Sequence, residues 1–191
     1  MLKGSAASGP PGHQGGVMMT RIDARDRLIV ALDVPSAAEA EALVDRMGDQ
    51  VRFVKVGLEL YTVAGPEIVR RLVARGKRVF LDLKFLDIEE TVRRATARVA
   101  AMGATFLTIH ANRKALIAAV QGRGQSDLKL LAVTVLTNFD GNDLRDMGIQ
   151  RSVRDLVTAR AMLAAETGCD GVVASGEEPE AIRAKVGPNL L

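Results

Sequence analysis

Cysteine is almost absent from this chain of 191 residues, since Cys169 is the only one. No intramolecular disulfide and no cysteine-based metal site can therefore form. Because the sequence carries no export signal, we expect the reducing cytoplasm as its location. Tryptophan is lacking and aromatic residues make up only 3%, so the core must be built mostly from aliphatic side chains. No apolar run approaches the length of a membrane-spanning helix.

Clusters of charge of one sign are also lacking. The 26 Lys and Arg residues are interspersed with 23 Asp and Glu residues, for a net charge of +3. Without a basic block or interleaved aromatic residues, the sequence does not predict a nucleic-acid surface. The small positive excess suits an anionic small substrate, although an ordinary mixed surface explains it equally well.

The N-terminal segment differs in composition from the rest of the chain. Its first 20 residues are rich in Gly, Pro, Ser and Ala and lack the apolar stretch of a signal peptide. We predict a disordered extension over residues 1–21. Residues 22–191 are predicted to form one folded domain, and this length is sufficient for a sizeable core.

From residue 27 onward, short apolar runs alternate with segments of helical period. Ser36, with Glu39 three residues later, and Ser152 are typical N-caps of such helices. This alternation predicts βαβ units and a parallel sheet. The predicted strands are 27–33, 51–57, 78–84, 105–110, 128–136 and 171–174, and the predicted helices are 36–47, 66–75, 89–102, 113–121, 142–147, 152–166 and 178–185.

Two architectures fit this alternation, an open doubly wound sheet and a (β/α)8 TIM barrel. An open sheet usually has a Gly-rich phosphate turn after its first strand, but residues 33–36 contain no glycine. Polar residues instead recur at strand ends, which is typical of the catalytic face of a barrel. These residues are Asp33, Lys55, Asp82, Lys84, His110, Thr137 and Ser175. We therefore favour the barrel.

A complete barrel has eight βα units and about 250 residues. This chain supplies about six units, and Leu190 and Leu191 resemble the start of a seventh strand. Six parallel strands that cannot close leave unpaired edges. We therefore expect the chain to be a C-terminally truncated form of a longer protein.

The strand ends carry an unusual set of charges. Asp82 and Lys84 are two apart on one strand, so they share a face, and Lys55 ends the neighbouring strand. Asp87 follows just beyond the strand that carries Asp82 and Lys84. Together these four residues predict an array of alternating positive and negative charge. A protonated lysine held between carboxylates is suited to act as a general acid and to stabilise developing negative charge. A buried structural ion-pair network is the alternative, and spacing alone leaves both open.

The spacing Asp82-x-Lys84-x-x-Asp87-Ile88-x-x-Thr91 resembles the D-x-K-x-x-D-I-x-x-T signature of the orotidine 5′-monophosphate decarboxylase family. The similarity to bacterial members of this family extends over residues 27–191. It includes segments 31–33, 54–57, 108–111 and 132–137.

The resemblance implies a role for each matching residue. Lys84 would donate the proton to C6 of the pyrimidine after carbon dioxide leaves, with Asp82 beside it near the substrate carboxylate. Lys55 would complete the charge array and contact the ribose. Asp33 would bind a ribose hydroxyl, and Thr137 would contact the pyrimidine ring.

The resemblance also implies a homodimer with shared active sites. Asp87, Ile88 and Thr91 would enter the site of the neighbouring subunit. The family's reaction needs neither a metal nor an organic cofactor. It converts orotidine 5′-monophosphate to UMP in pyrimidine biosynthesis, and we expect no membrane or nucleic-acid partner.

The sequence departs from the family in two respects. Leu86, Glu89 and Glu90 replace common family residues between signature positions, which we expect to have little effect. The family's phosphate-binding Arg and Gln follow strands seven and eight, beyond Leu191, so we expect this chain to be a poor enzyme.

Two other functions stay open. One is a Mg²⁺-dependent sugar-phosphate lyase of the same superfamily, which has an acidic metal ligand where Lys55 stands here. A lysine at that position repels a metal ion and favours the decarboxylase. The other is a non-catalytic truncated homologue.

Overall fold

The computed structural model describes residues 24–188 and 190–191. The predicted disordered extension, residues 1–21, lies outside the described residues. The strands are β1 (Ile29–Ala31), β2 (Phe53–Gly57), β3 (Arg78–Phe85), β4 (Phe106–His110), β5 (Lys129–Val133) and β6 (Gly171–Val173). The helices are α1 (Ala37–Met47), α2 (Leu58–Ala74), α3 (Glu89–Ala101), α4 (Arg113–Arg123), α5 (Gly141–Asp146), α6 (Val153–Thr167) and α7 (Pro179–Val186).

All six strands belong to one sheet in the order of the chain, and every neighbouring pair is parallel. Helices follow the strands and pack on them. Six βα units in sequence order are the architecture of a partial (β/α)8 barrel, which confirms the predicted fold. None of the helices in the described part of the chain is long and apolar enough to cross a membrane.

The predicted start of a seventh strand has the hydrogen bonds of a parallel neighbour of β6. The Leu191 amide donates to the Asp170 carbonyl at 2.8 Å, and its carbonyl accepts from the Val172 amide at 3.0 Å. Leu190 is buried. These bonds continue the strand order beyond β6.

The predicted N-caps are confirmed. Ser36 Oγ accepts a hydrogen bond from the Glu39 amide at 3.2 Å, and Ser152 Oγ accepts one from the Asp155 amide at 3.1 Å. Each bond satisfies an amide that has no partner within its own helix. Local sequence therefore sets where α1 and α6 begin.

Helix α2 differs from the prediction, since it begins at Leu58 rather than near residue 66. Gly65 interrupts it with a φ of 62°, and Pro66 begins the second part. Proline suits the first turn of a helix because its missing amide would have no partner there. The sequence thus predicted the second part and missed the first, which follows β2 directly.

The two faces of the sheet carry different side chains. The rings of Phe53 and Phe106 lie 5.0 Å apart and those of Phe80 and Phe106 lie 5.9 Å apart. Because these rings from three adjacent strands meet, their face of the sheet points into the barrel. The alternate residues point outward under the helices and are fully buried, among them Val54, Val56, Val79, Leu81, Leu107 and Ile109.

Helices α3 and α4 are in close contact at Gly122. A Cβ at this position would lie 2.2 Å from the carbonyl oxygen of Arg93 and 3.0 Å from the Cβ of Thr96. Only glycine lets the two backbones approach this closely. Gly122 therefore sets the spacing of α3 and α4, and α4 in turn packs on β4 and β5.

A charged cluster around Asp170 lies at the end of the sheet where the strands begin, opposite to the carboxyl ends of the strands. Asp170, just before β6, forms ion pairs with Arg123 and Lys129. It also accepts a hydrogen bond from the Leu130 amide at 2.9 Å. This carboxylate connects α4, β5 and the start of β6, which is a structural role.

Candidate active site

The ion pair at the end of β3 is the centre of the candidate site. Lys84 Nζ donates to Asp82 Oδ2 at 2.9 Å. The side chains are 30% and 17% exposed, respectively, so the pair is partly withdrawn from water but remains accessible. Charged groups are seldom withdrawn from water unless they are paired. Accessibility combined with pairing suits a reacting group.

This pair faces the interior of the barrel. Asp82 lies two residues after Phe80, whose ring belongs to the inward layer, and residues two apart share a face. Since Lys84 Nζ bonds to Asp82, it also lies at the interior mouth rather than on the outer wall. The sequence prediction that both side chains point the same way agrees with this arrangement.

A bulge in β3 shapes this strand end. Leu81 pairs with Leu107 and Phe85 pairs with Ile109, so residues 82–84 of β3 lie opposite Thr108 alone. Bulges of this kind occur next to active sites because they redirect a side chain. The bulge therefore separates Lys84 from the regular ladder.

Lys84 has a backbone conformation that is unusual for its residue type. Its φ is 50°, and it is the one non-glycine residue with positive φ in the described ranges. This conformation costs about 1–2 kcal/mol for a residue with a Cβ. Surrounding contacts must compensate for that cost, and such residues are frequent at functional sites.

Lys55, at the neighbouring strand, is held by a second ion pair. Its Nζ donates to Asp33 Oδ1 at 2.9 Å. A Cβ at Gly57 would lie 3.3 Å from this Nζ, so the absence of a side chain there leaves room for the amine. Gly57 is the register partner of Asp82. The amine of Lys55 is therefore next to the strand position that faces Asp82.

The remaining residues of the signature, Asp87, Ile88 and Thr91, take no part in the ion pair between Lys84 and Asp82. Asp87 is exposed, and its Oδ1 accepts a hydrogen bond from the Ile88 amide at 2.6 Å. Ile88 is 70% exposed and Leu86 is 58% exposed, and Thr91 is exposed at the start of α3. Within the described chain, Asp87 therefore forms no ion pair with Lys84.

Thr137 is exposed in the loop after β5. It lines a cleft of about 320 Å³ together with Phe139, Ser175 and Glu178. The lysines are not among the residues that line this cleft. Because β5 ends at Val133, Thr137 lies in the loop beyond that strand rather than directly at its end, where the sequence had placed it.

A cavity of about 310 Å³ lies beyond the ends of β4 and β5, with His110, Leu86 and Arg160 among its lining residues. Burial, together with the positive charges of Arg160 and Lys84, lowers the pKa of His110. Burial and the two neighbouring positive charges all favour the neutral imidazole. His110 was predicted from the sequence as a polar residue at a strand end, whereas Arg160, which comes from α6, was not predicted.

Sequence reasoning also missed Thr108, the residue opposite the bulge. Thr108 is fully buried, and its hydroxyl contacts both Asp82 and Lys84. A polar residue within the apolar strand β4, two positions before His110, was the available signal. In the described ranges, no group of three or more His, Cys, Asp or Glu side chains is arranged to hold a metal ion.

The chain is similar to proteins of one family. The family whose sequence pattern matches residues 26–191 is described as "Orotidine 5'-phosphate decarboxylase / HUMPS family". An orotidine 5'-phosphate decarboxylase of Rhodopseudomonas palustris (strain HaA2) is 51% identical over 166 residues, which are 87% of this chain and 71% of the relative. That of Nitrobacter winogradskyi is 52% identical over 168 residues, 88% of this chain and 70% of the relative.

A solved structure agrees with these relatives. The crystal structure of orotidine 5'-phosphate decarboxylase from Lactobacillus acidophilus superposes with a TM-score of 0.81 at 34% sequence identity. The superposition covers 86% of this chain and 78% of that protein. The partial barrel described above is thus the fold of that structure.

Proposed function

The chain belongs to the orotidine 5'-phosphate decarboxylase / HUMPS family, and from that premise we propose how its own side chains carry out the reaction. The protein is a carboxy-lyase that converts orotidine 5′-monophosphate to UMP and carbon dioxide in pyrimidine biosynthesis. The observation that carries the proposed mechanism is the 2.9 Å ion pair between Lys84 and Asp82 at the interior mouth of the barrel.

In the proposed reaction, the bond between C6 of the pyrimidine and the carboxylate carbon breaks. Carbon dioxide leaves, and the electron pair remains on C6. The ammonium of Lys84 stabilises this negative charge and transfers a proton to C6. The resulting neutral amine then regains a proton from solvent.

Asp82 is proposed to orient Lys84 for this transfer. A charge-assisted hydrogen bond is short and directional, and the bond from Lys84 Nζ to Asp82 fits that description. An oriented donor needs little reorganisation when the charge on C6 develops, which is the main source of electrostatic catalysis. The substrate carboxylate would lie beside Asp82.

The other sequence-predicted residues are proposed to bind the substrate. Lys55 and Asp33, paired at 2.9 Å, would together contact the ribose hydroxyls. Asp33 is 61% exposed, and its ion pair with Lys55 uses Oδ1. Its other carboxylate oxygen can therefore accept a hydrogen bond from a ribose hydroxyl. Thr137 would contact the pyrimidine ring from the loop after β5.

This reaction is tested with orotidine 5′-monophosphate labelled in its carboxylate. We expect the protein to release labelled carbon dioxide, and we expect neither EDTA nor added Mg²⁺ to change the rate. An ammonium at Lys55 repels a divalent cation, so a Mg²⁺-dependent lyase reaction is not favoured. Activity that disappears with EDTA and returns with Mg²⁺ would contradict the proposal.

We further propose a homodimer in which Asp87, Ile88 and Thr91 complete the partner's site. Support comes from their exposure directly after Lys84 and from the apolar surface that Leu86 and Ile88 present to solvent. Exposed apolar groups clustered in this way are typical of protein contacts. The carboxylate of Asp87 would then face the Lys84 of the other subunit.

Mixing inactive variants tests this shared site. Asp87→Ala and Lys84→Ala should each be inactive, and an equal mixture that exchanges subunits should regain about a quarter of the wild-type activity, because half of the dimers are mixed and each has one intact site. A mixture of Lys84→Ala with the double variant Lys84→Ala/Asp87→Ala is the control and should stay inactive. Absence of recovery in the first mixture, despite proven exchange, argues against a site shared in trans.

We also propose that the enzyme acts in the cytoplasm. Its single cysteine, Cys169, is buried, and burial raises the pKa of its thiol to about 11. The thiol is therefore protonated and unreactive at neutral pH. A fold that uses no disulfide suits a reducing compartment.

A further inference from the structure

Thr108 occupies a position that connects both members of the central ion pair. Its Oγ1 accepts a hydrogen bond from the Lys84 amide at 2.9 Å and donates one to Asp82 Oδ1 at 2.9 Å. A hydroxyl has one hydrogen to donate, so its orientation is determined by these two contacts. Thr108 is fully buried, which protects both bonds from competing water.

The bond to Lys84 replaces a missing bond of the sheet. Within the bulge, residues 82–84 lie opposite Thr108 alone, and the Lys84 amide is bonded to the Thr108 side chain. An unpaired amide at this depth would be costly. The threonine hydroxyl thus stabilises the bulge at the residue whose φ is 50°.

The hydrogen bond from Thr108 to Asp82 holds the carboxylate of the ion pair between Lys84 and Asp82. Asp82 Oδ1 receives the Thr108 hydroxyl, and Oδ2 receives the Lys84 ammonium. Each carboxylate oxygen therefore has its own donor, which restrains rotation of the carboxylate. The backbone and the ammonium of Lys84 are consequently both positioned through one hydroxyl of β4.

From this geometry we infer that Thr108 is a positioning residue for the decarboxylation. It contacts no reacting atom and acts by holding the Lys84 backbone and the Asp82 carboxylate in register. This inference rests on the proposed role of Lys84 as the proton donor. A small misplacement of a reacting group lowers the rate of the chemical step more than it lowers substrate binding.

The test replaces the hydroxyl with a methyl group of the same size. We expect Thr108→Val to lower kcat by roughly 10- to 100-fold with less than about a threefold change in KM. Thr108→Ser, which keeps the hydroxyl, should restore kcat to within about threefold of wild type. All rates are measured at a temperature at which circular dichroism shows each variant to be folded.

Thr96→Val is the matched control. Thr96 is also fully buried, but it lies on α3 against α4, and its hydroxyl has no hydrogen-bond partner among the described residues. Removing it should leave kcat and KM unchanged. If Thr108→Val does not fold, Thr108→Ala and Thr108→Ser give the same comparison, since they differ by a single hydroxyl.

Two outcomes would overturn the inference. One is a folded Thr108→Val protein with wild-type kcat, and the other is a Thr108→Ser protein no faster than Thr108→Val. The Lys84→Ala variant separates the hypothesis that Lys84 is the proton donor from the hypothesis that Thr108 positions it. Full activity of Lys84→Ala removes the proposed role of the lysine, whereas an inactive Lys84→Ala beside a fully active Thr108→Val removes only the role of Thr108.

Discussion

Lys84→Ala is expected to lower kcat/KM for decarboxylation by on the order of 10⁴-fold or more, since both proton donation and charge stabilisation are lost. The ammonium is the group that the ion pair with Asp82 holds at the interior mouth of the barrel. The fold should persist, because the side chain is partly exposed and Asp82 keeps its bond from Thr108. Release of labelled carbon dioxide measures the loss.

A second substitution separates the two contributions of the amine. Lys84→Arg keeps a positive charge but does not give up a proton at neutral pH. We expect it to be as inactive as Lys84→Ala if proton transfer limits the reaction. An arginine variant with much higher activity than the alanine variant would assign most of the effect to charge alone.

Lys129→Ala is the matched control for both variants. Lys129 also pairs with an aspartate, Asp170, at 3.1 Å, but it lies at the opposite end of the sheet. Its removal should leave kcat/KM unchanged. Substantial turnover by a folded Lys84→Ala protein would contradict the proposed mechanism.

Gly122→Ala is expected to destabilise the protein by about 3 kcal/mol, near the upper range for overpacked interiors. Alanine normally has a higher helix propensity than glycine. Helix propensity alone would therefore predict that Gly122→Ala stabilises the protein, which is the opposite of the effect expected here. The cause is the new Cβ, which would lie 2.2 Å from the Arg93 carbonyl oxygen. Helices α3 and α4 would have to separate, and the midpoint of thermal unfolding should fall by roughly 6–12 °C.

Gly176→Ala provides the comparison. Gly176 has no heavy atom within 4 Å of its ideal Cβ position and no positive φ. We expect its midpoint of unfolding to change by no more than about 2 °C, as for an unconstrained surface position. Equal stability of both alanine variants would show that α3 and α4 are not in contact as described.

Much of the fold was predictable because its determinants are local. Helical and strand periods, the caps at Ser36 and Ser152, and the order of the elements depend on neighbours within a few residues. All six strands were predicted near their observed positions. The helix that begins at Leu58 was missed, since a positive φ at Gly65 in the middle of an element is not visible in the pattern.

The candidate site was predictable in part for the same reason. Asp82 and Lys84 are two apart on one predicted strand, so the period of two predicted that they lie together. In the structure, the bulge at residues 82–84 and the positive φ of Lys84 set their arrangement instead. Lys55 instead pairs with Asp33, which is 22 positions earlier in the chain. That partner depends on how the two strand ends meet in space.

The sequence by itself determined the kinds of elements, their order and the presence of two charged groups on one strand face. Only the tertiary structure decided the bulge opposite Thr108, the left-handed conformation of Lys84 and the close approach at Gly122. Periodicity and capping arise from interactions within one segment. Register, bulges and interhelical spacing arise from packing between segments far apart in the chain, and no local pattern encodes those distances.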